Sequence, residues 1–224
     1  LTIRKSWQKF KNQLTLQDMS QGNLAESKKL YTVEEYLAFE RESLEKHEYI
    51  DGEIIPLHEG REIRAMAGAS RRHNLITGNV FGEIRNKLKG KNCEIYPNDM
   101  RVRMSTNHYS YPDVVVVCGE PQFADDEFDV LLNPTVVVEV LSPSTRFRDK
   151  TEKLENFRKL ESLKECLLIE QDKIFIEHYI KQTPNQWLLR IYENADEKVN
   201  LESIDCEILV SDIYLQVKFK ESSQ

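Results

Sequence analysis

Apolar residues fall into two kinds of pattern along this chain. From Thr32 to Leu88 they recur at the three- and four-residue spacings of helices, and from Cys93 onward they form short continuous or alternating runs that suit strands. Thr32 followed by Glu35 makes a capping box, and Val33, Tyr36, Leu37 and Leu44 predict a first helix ending near His47. EYIDGEII then predicts a hairpin turning at Asp51-Gly52. Ser70 is placed to cap a second helix whose buried side is Leu75, Ile76, Val80, Ile84 and Leu88. Strands follow at CEIYP, at DMRVRM and over Tyr109 to Cys118. An acidic, irregular segment of Asp125, Asp126, Glu127 and Asp129 reads as a solvated loop leading to a strand that opens at Thr135. A third helix is predicted over about Phe147 to Leu160, then a strand at ECLLIEQD. The remainder (IFIEHYI, QWLLRIYE, KVNLESI and ILVSDIYLQVKF) alternates and predicts antiparallel hairpins. No repeat or linker interrupts residues 31–217, so these form one α/β (α+β) domain, flanked by a poorly ordered tail over 1–30 and a short one over 218–224. Met19 adds the reading that the first eighteen residues precede the native start.

Composition narrows the class without naming a function. The 224 residues are 40% hydrophobic and 31% charged, ordinary values for a water-soluble globular domain. No run approaches the length of a membrane helix, and no signal-peptide core is visible, which makes the cytoplasm the default location. A formal charge of −7 excludes a passive nucleic-acid coat, but not an enzyme that meets DNA on one locally basic face. Cys93, Cys118, Cys166 and Cys206 lie far apart with no CxxC pair, so they read as reduced core residues rather than zinc ligands or disulfide partners.

The chemistry begins with two carboxylates where a core does not ask for them. Val114 to Val117 and Val136 to Leu141 are the two most aliphatic stretches and read as central strands buried on both faces. Asp113 stands at the head of the first and Glu139 lies inside the second. An unpaired buried carboxylate costs several kcal/mol, and two of them on neighbouring strands are relieved together by one shared divalent cation. Asp149 and Lys153 follow, four apart on one face of the third helix. Taken alone they read as an exposed ion pair. Beside two metal-ligating acids, Lys153 completes the equipment for phosphodiester hydrolysis, since a metal and a lysine can together polarise a phosphate and orient a water.

An acid on one strand and an acid with a lysine after it resembles the PD-(D/E)xK nuclease pattern, although Leu141 stands where that pattern has its lysine. The longer series TVEEYL, EYIDGEI, MAGAS-x-x-HN, YPDVVVVC, NPTVVVEVLSPST and D-x-x-x-K resembles the Uma2 family of restriction-endonuclease-like proteins, in order over about residues 31–217. The resemblance implies a mixed central sheet flanked by helices, with antiparallel strands at the C-terminal end. It also implies a Mg²⁺- or Mn²⁺-dependent endonuclease acting on DNA, with RNA not excluded. The lysine then comes from the helix, as Lys153. The same comparison nominates Glu48 as a further acid at the metal, with Asp113 and Glu139, and His73 as an accessory residue; Asp149 joins it as accessory. PLHEGREIR, residues 56–64, is an insertion relative to the family pattern.

For DNA contact, basic residues gather around the second helix (Arg71 and Arg72 at its start) and around the third (Arg146, Arg148 and Lys150). A homodimer follows from the simplest way to cut two strands. Three other readings compete: a regulatory or nucleic-acid-binding module of the same fold without catalysis, an enzyme acting on RNA or a nucleotide, and a structural protein whose acids are merely paired.

Overall fold

The computed structural model describes residues 29–57, 70–142, 146 and 149–219; the expectations placed on the first 28 residues, on the segment 58–69, on Arg148 and on the extreme C-terminus lie outside the described residues. Helix α1 spans Val33–Glu42, with both hydrogen bonds of the Thr32–Glu35 capping box in place. It stops at Ser43, well short of His47, and Leu44 is fully exposed instead of joining an apolar stripe. Strands β1 (His47–Ile50) and β2 (Glu53–Pro56) form the expected hairpin. Asp51 and Gly52 at its tip both take positive φ, as a two-residue turn matching strand twist requires. Helix α2, Arg71–Lys87, is capped by Ser70 and buries Ile76, Val80 and Ile84. Of the predicted buried side, only Leu75 remains partly exposed, while Leu88 is buried at the helix end.

Eleven further strands are found among the described residues. Strand β3 is Cys93–Pro97 and β4 is Arg101–Ser105. The single strand expected over 109–118 is two, β5 (His108–Ser110) and β6 (Val114–Cys118), and they belong to different sheets. The break falls at Pro112, which has no N–H to give a ladder. Strand β7 is Val130–Leu131, β8 is Val136–Leu141 and β9 is Glu165–Glu170. Strands β10 (Ile176–Thr183) and β11 (Gln186–Tyr192) form a hairpin, and β12 (Lys198–Leu201) pairs with β13 (Cys206–Leu209). Helix α3 is Leu154–Lys159. The last expected strand is in part a short helix, α4 (Val210–Ile213).

The six-stranded sheet runs β11-β10-β9-β8-β6-β3, antiparallel throughout except for the β8–β9 pair. The aliphatic strands β6 and β8 are therefore central neighbours, as their composition predicts. Their side chains alternate between two cores. Val114, Val116, Val136, Val138 and Val140 pack with α2, β12, β13 and α4. Val115, Val117, Val137 and Leu141 pack instead with α3 and β4. Each fully buried valine or leucine contributes about 1.5–3 kcal/mol. A five-stranded sheet, β2-β1-β5-β4-β7, stands on this second side.

Two further expectations are corrected. Cys93 and Cys118 face each other across β3 and β6 and are joined by a disulfide, while Cys166 and Cys206 are free and buried. Closing a loop of 25 residues restrains the unfolded chain by about 3–4 kcal/mol in the chain-entropy account. The acidic segment is not merely solvated, because Arg41 pairs with Asp125 at 2.6 Å and Asp129 at 3.0 Å, and β7 adds to β4. Among the described residues no helix is long and apolar enough to cross a membrane.

A buried acid–histidine contact outside the candidate site bears on stability in acid. Glu165 contacts His178 Nε2 at 2.5 Å and accepts the Ser203 N–H at 2.7 Å, with both side chains out of solvent. Burial pushes the Glu165 carboxyl up, but the hydrogen bonds from His178 and Ser203 outweigh it and hold the group below its ordinary 4.5. A depressed folded-state value contributes stability above the unfolded value and loses it as pH falls through the folded one. Glu165→Gln is therefore expected to flatten the decline in denaturation midpoint as pH falls below about 5, measured beside the wild type.

Candidate functional site

The site is assembled where β6 and β8 run side by side. Val114 pairs antiparallel with Val138, and extending that register by one residue sets Asp113 beside Glu139. Asp113 Oδ2 accepts the Val140 backbone N–H at 2.7 Å, so the carboxylate is fastened across the strand pair. His73, in the first turn of α2, brings Nε2 to 3.2 Å from the same oxygen. The α2 cap fixes the start of that helix, since Ser70 Oγ accepts the His73 N–H at 3.1 Å.

Glu139 projects from β8 on the side of α3, and Lys153 meets it there. The Lys153 Nζ lies 2.9 Å from Glu139 Oε1 and 3.2 Å from Glu48 Oε1. Glu48 comes from β1 of the other sheet, and its Oε1 also accepts the Ser110 hydroxyl at 2.5 Å. All three members of this triad are at most 5% exposed. The ammonium offsets the two carboxylates, a geometry that a low-dielectric interior makes strong but that repays desolvation only when well formed. The helix expected to carry Asp149 and Lys153 opens as a π-helical turn, Asp149–Lys153, before α3 begins. Such turns break the regular helical ladder and recur at functional sites. The Lys153 amine reaches two glutamates on separate sheets, and the side chain of Asp149 lies outside the described residues.

The structure thus brings together Glu48, Glu139 and Lys153, and separately Asp113 with His73, with Glu139 and Asp113 at facing positions of the β8–β6 pair. Among the described residues, no three His, Cys, Asp or Glu side chains converge closely enough to hold a metal ion by themselves.

A polar network behind Glu48 was not foreseen from the sequence. His47, the preceding residue, donates its N–H to Glu40 Oε1 at 2.9 Å, and its Nδ1 lies 2.9 Å from Oε2. Tyr111 donates to the same Glu40 at 2.9 Å, and Arg101 Nε donates to the Tyr111 hydroxyl at 2.8 Å. Tyr36 donates to the His47 carbonyl at 2.8 Å. Burial pushes the Glu40 carboxyl up, yet the bonds from His47 and Tyr111 hold it below its ordinary range. The network ties α1, β1 and the β5–β6 connection into one unit, fixing the strand that presents Glu48. Ser110 was missed as well. Its only sequence signal is a serine two residues before Pro112.

The basic residues divide. Arg71 is exposed at the start of α2. Arg72 pairs with Asp172 at 2.6 Å. Arg146 reaches Glu170 at 2.5 Å and Asp172 at 3.7 Å, and Lys150 reaches Glu177 at 2.6 Å and Glu170 at 3.3 Å.

A profile of the Uma2 family, described as "Putative restriction endonuclease", matches residues 33–211. The chain belongs to the Uma2 family. Two uncharacterised proteins of Synechocystis sp. are similar to it: one is 39% identical over 171 residues, 75% of this chain and 92% of that protein. The other is 34% identical over 187 residues, 83% of this chain and 92% of that protein. The crystal structure of "a putative nuclease belonging to DUF820 from Anabaena variabilis" superposes with a TM-score of 0.63. That match covers 82% of this chain and 97% of the other at 19% identity, and shows that the Uma2 chain shares its fold.

Proposed function

We propose that this Uma2 domain, residues 31–217, hydrolyses DNA phosphodiester bonds with the help of Mg²⁺ or Mn²⁺. The observation that carries the reading is the buried Glu48–Lys153–Glu139 triad standing beside Asp113. Packing has no need of three charges from three separate elements, whereas phosphoryl chemistry uses each of them. The family description and the nuclease description of the Anabaena protein point the same way.

The donor set fits a hard divalent cation, because Glu48, Glu139 and Asp113 supply oxygen only and one cation already bridges two of them. Magnesium is commonly held by one or two carboxylates, with substrate phosphate and water completing its shell, so three converging protein ligands are not required. When bound, the ion would neutralise phosphate charge and lower the pKa of an attacking water. In this reading Glu139 and Asp113 are the main ligands and Glu48 the third acid. The Val140 N–H and His73 keep Asp113 turned toward the site. Lys153 swings its ammonium from the acids toward the scissile phosphate, where it orients water and stabilises developing charge. Asp149 is the neighbouring accessory acid. Arg71, Arg72, Arg146, Arg148 and Lys150 follow the backbone phosphates. A homodimer, cutting one strand with each copy, and a cytoplasmic location belong to the same proposal.

The test is cleavage of supercoiled plasmid, linear duplex, single-stranded DNA and RNA by the purified chain. The expected outcome is plasmid nicking or linearisation with Mg²⁺ or Mn²⁺, abolished by a chelator. Cleavage of RNA alone would move the substrate class. A second reading, an inert nucleic-acid-binding module, is favoured by the way Lys153 already pairs with both glutamates. It predicts metal-independent plasmid binding and no cleavage of any substrate.

A further inference from the structure

Glu139 is not the only acid on its face of the six-stranded sheet. The β8–β9 register sets Leu141 opposite Glu170, and the β9–β10 register sets Leu168 opposite Glu177. Glu139, Glu170 and Glu177 therefore point to the same side, the side on which Arg146, Lys150 and Lys153 meet them. Glu170 is buried, with 4% of its side chain exposed, and its two oxygens are divided between Arg146 and Lys150. Oε2 faces Arg146 at 2.5 Å and Oε1 faces Lys150 at 3.3 Å. Lys150 opens outward to Glu177, and three residues later Lys153 turns inward to Glu139 and Glu48. Burial lowers the Lys150 ammonium's proton affinity, but Glu177 and Glu170 outweigh it and leave that affinity raised, so the contact is with a held cation.

We propose that Glu170 is a positioning residue: by clasping Arg146 and Lys150 it seats the π-helical turn Asp149–Lys153 and so aims the Lys153 amine at the carboxylate site. The proposal rests on the nuclease reading for its catalytic consequence, but its structural part does not. It also reassigns two of the residues placed on the DNA backbone. Arg146 and Lys150 face a buried carboxylate, and a phosphate would have to compete with it. A π-helical turn is held by i→i+5 bonds and is rarely longer than the single turn seen here, so an outside clasp matters. Because Arg146 retains Asp172 and Lys150 retains Glu177, removing the Glu170 charge leaves neither cation without an acid.

The experiment is Glu170→Gln, read in two ways. On supercoiled plasmid with Mn²⁺, kcat is expected to fall about 100-fold with KM unchanged, the signature of a misplaced catalytic group. Hydrogen exchange on the same protein, without DNA or metal, is expected to quicken at the amides of 149–153 while β8 and β9 stay protected. An unchanged kcat with a lowered KM would overturn the proposal, because the two cations would then be phosphate contacts that the acid restrains. Exchange that is unchanged, or faster across the whole sheet, would overturn it equally. If the wild type cleaves nothing, the nuclease reading fails by itself and the exchange result still decides the positioning role.

Discussion

Lys153→Met is expected to be the most damaging single change at the site, and to damage stability and activity together. The methionine keeps the aliphatic length of the side chain but removes the cation that Glu48 and Glu139 share at 3.2 and 2.9 Å. Breaking a buried ion pair by deleting one partner costs about 3–5 kcal/mol, and here two carboxylates lose the same partner. The denaturation midpoint in chelator should fall accordingly. Cleavage should drop by a factor of about 10²–10⁴, the usual contribution of a positioned proton-transfer or charge-stabilising group. Added Mg²⁺ should recover part of the lost stability in the variant, since an ion that binds only the folded state raises its apparent stability. A variant as stable as the wild type would mean that Lys153 is not what holds these acids in the interior.

The second large effect has the opposite balance. Glu139→Gln removes one of the two carboxylates seen to meet Lys153 among the described residues, and Glu48 remains beside the ammonium. Its effect on stability is therefore expected to be small, within about 1 kcal/mol, of the order of one hydrogen bond exchanged for another. Its effect on cleavage should be severe, about three decades or more, because a metal ligand supplies several kcal/mol to the transition state and each 1.36 kcal/mol is tenfold in rate. Asp113→Asn should behave alike, since its backbone anchor, the Val140 N–H, can still be accepted by an amide oxygen. The contrast between Lys153→Met and these two variants separates a working site from a structural ion cluster, in which loss of stability and loss of activity would run in proportion.

Much of this arrangement could be read from the residues. The β8 run of Val136–Leu141 contains one charge among five aliphatic residues, and a strand buried on both faces allows such a charge only with a partner. Asp113 was legible through its place before β6, and the pairing of β6 with β8 is what brings the two acids together. Glu48 was reached only through the resemblance to the Uma2 family, because nothing within β1 distinguishes a buried glutamate from one at a hairpin surface. What could not be read depends on pairing between distant elements. The Cys93–Cys118 bond needs β3 to lie in register with β6, and no cysteine spacing announces that. Ser110 meets Glu48 across the β1–β5 pair, and Tyr111 meets Glu40 between the β5–β6 connection and α1, contacts that periodicity within any one strand does not encode. Lys153 was nominated by an argument that paired it with Asp149 along a regular helix; the π-helical turn instead delivers it to Glu139 and Glu48.

The central claim is that Asp113 and Glu139, with Glu48, hold a divalent cation for phosphodiester chemistry. Calorimetric titration of the wild type and of Glu139→Gln with Mn²⁺, each with and without a duplex oligonucleotide present, tests it most directly. The account predicts binding by the wild type, strengthened by the oligonucleotide as phosphate completes the coordination shell, and its loss in the variant. Absence of binding by the wild type even with the oligonucleotide, or equal binding by the variant, would contradict it.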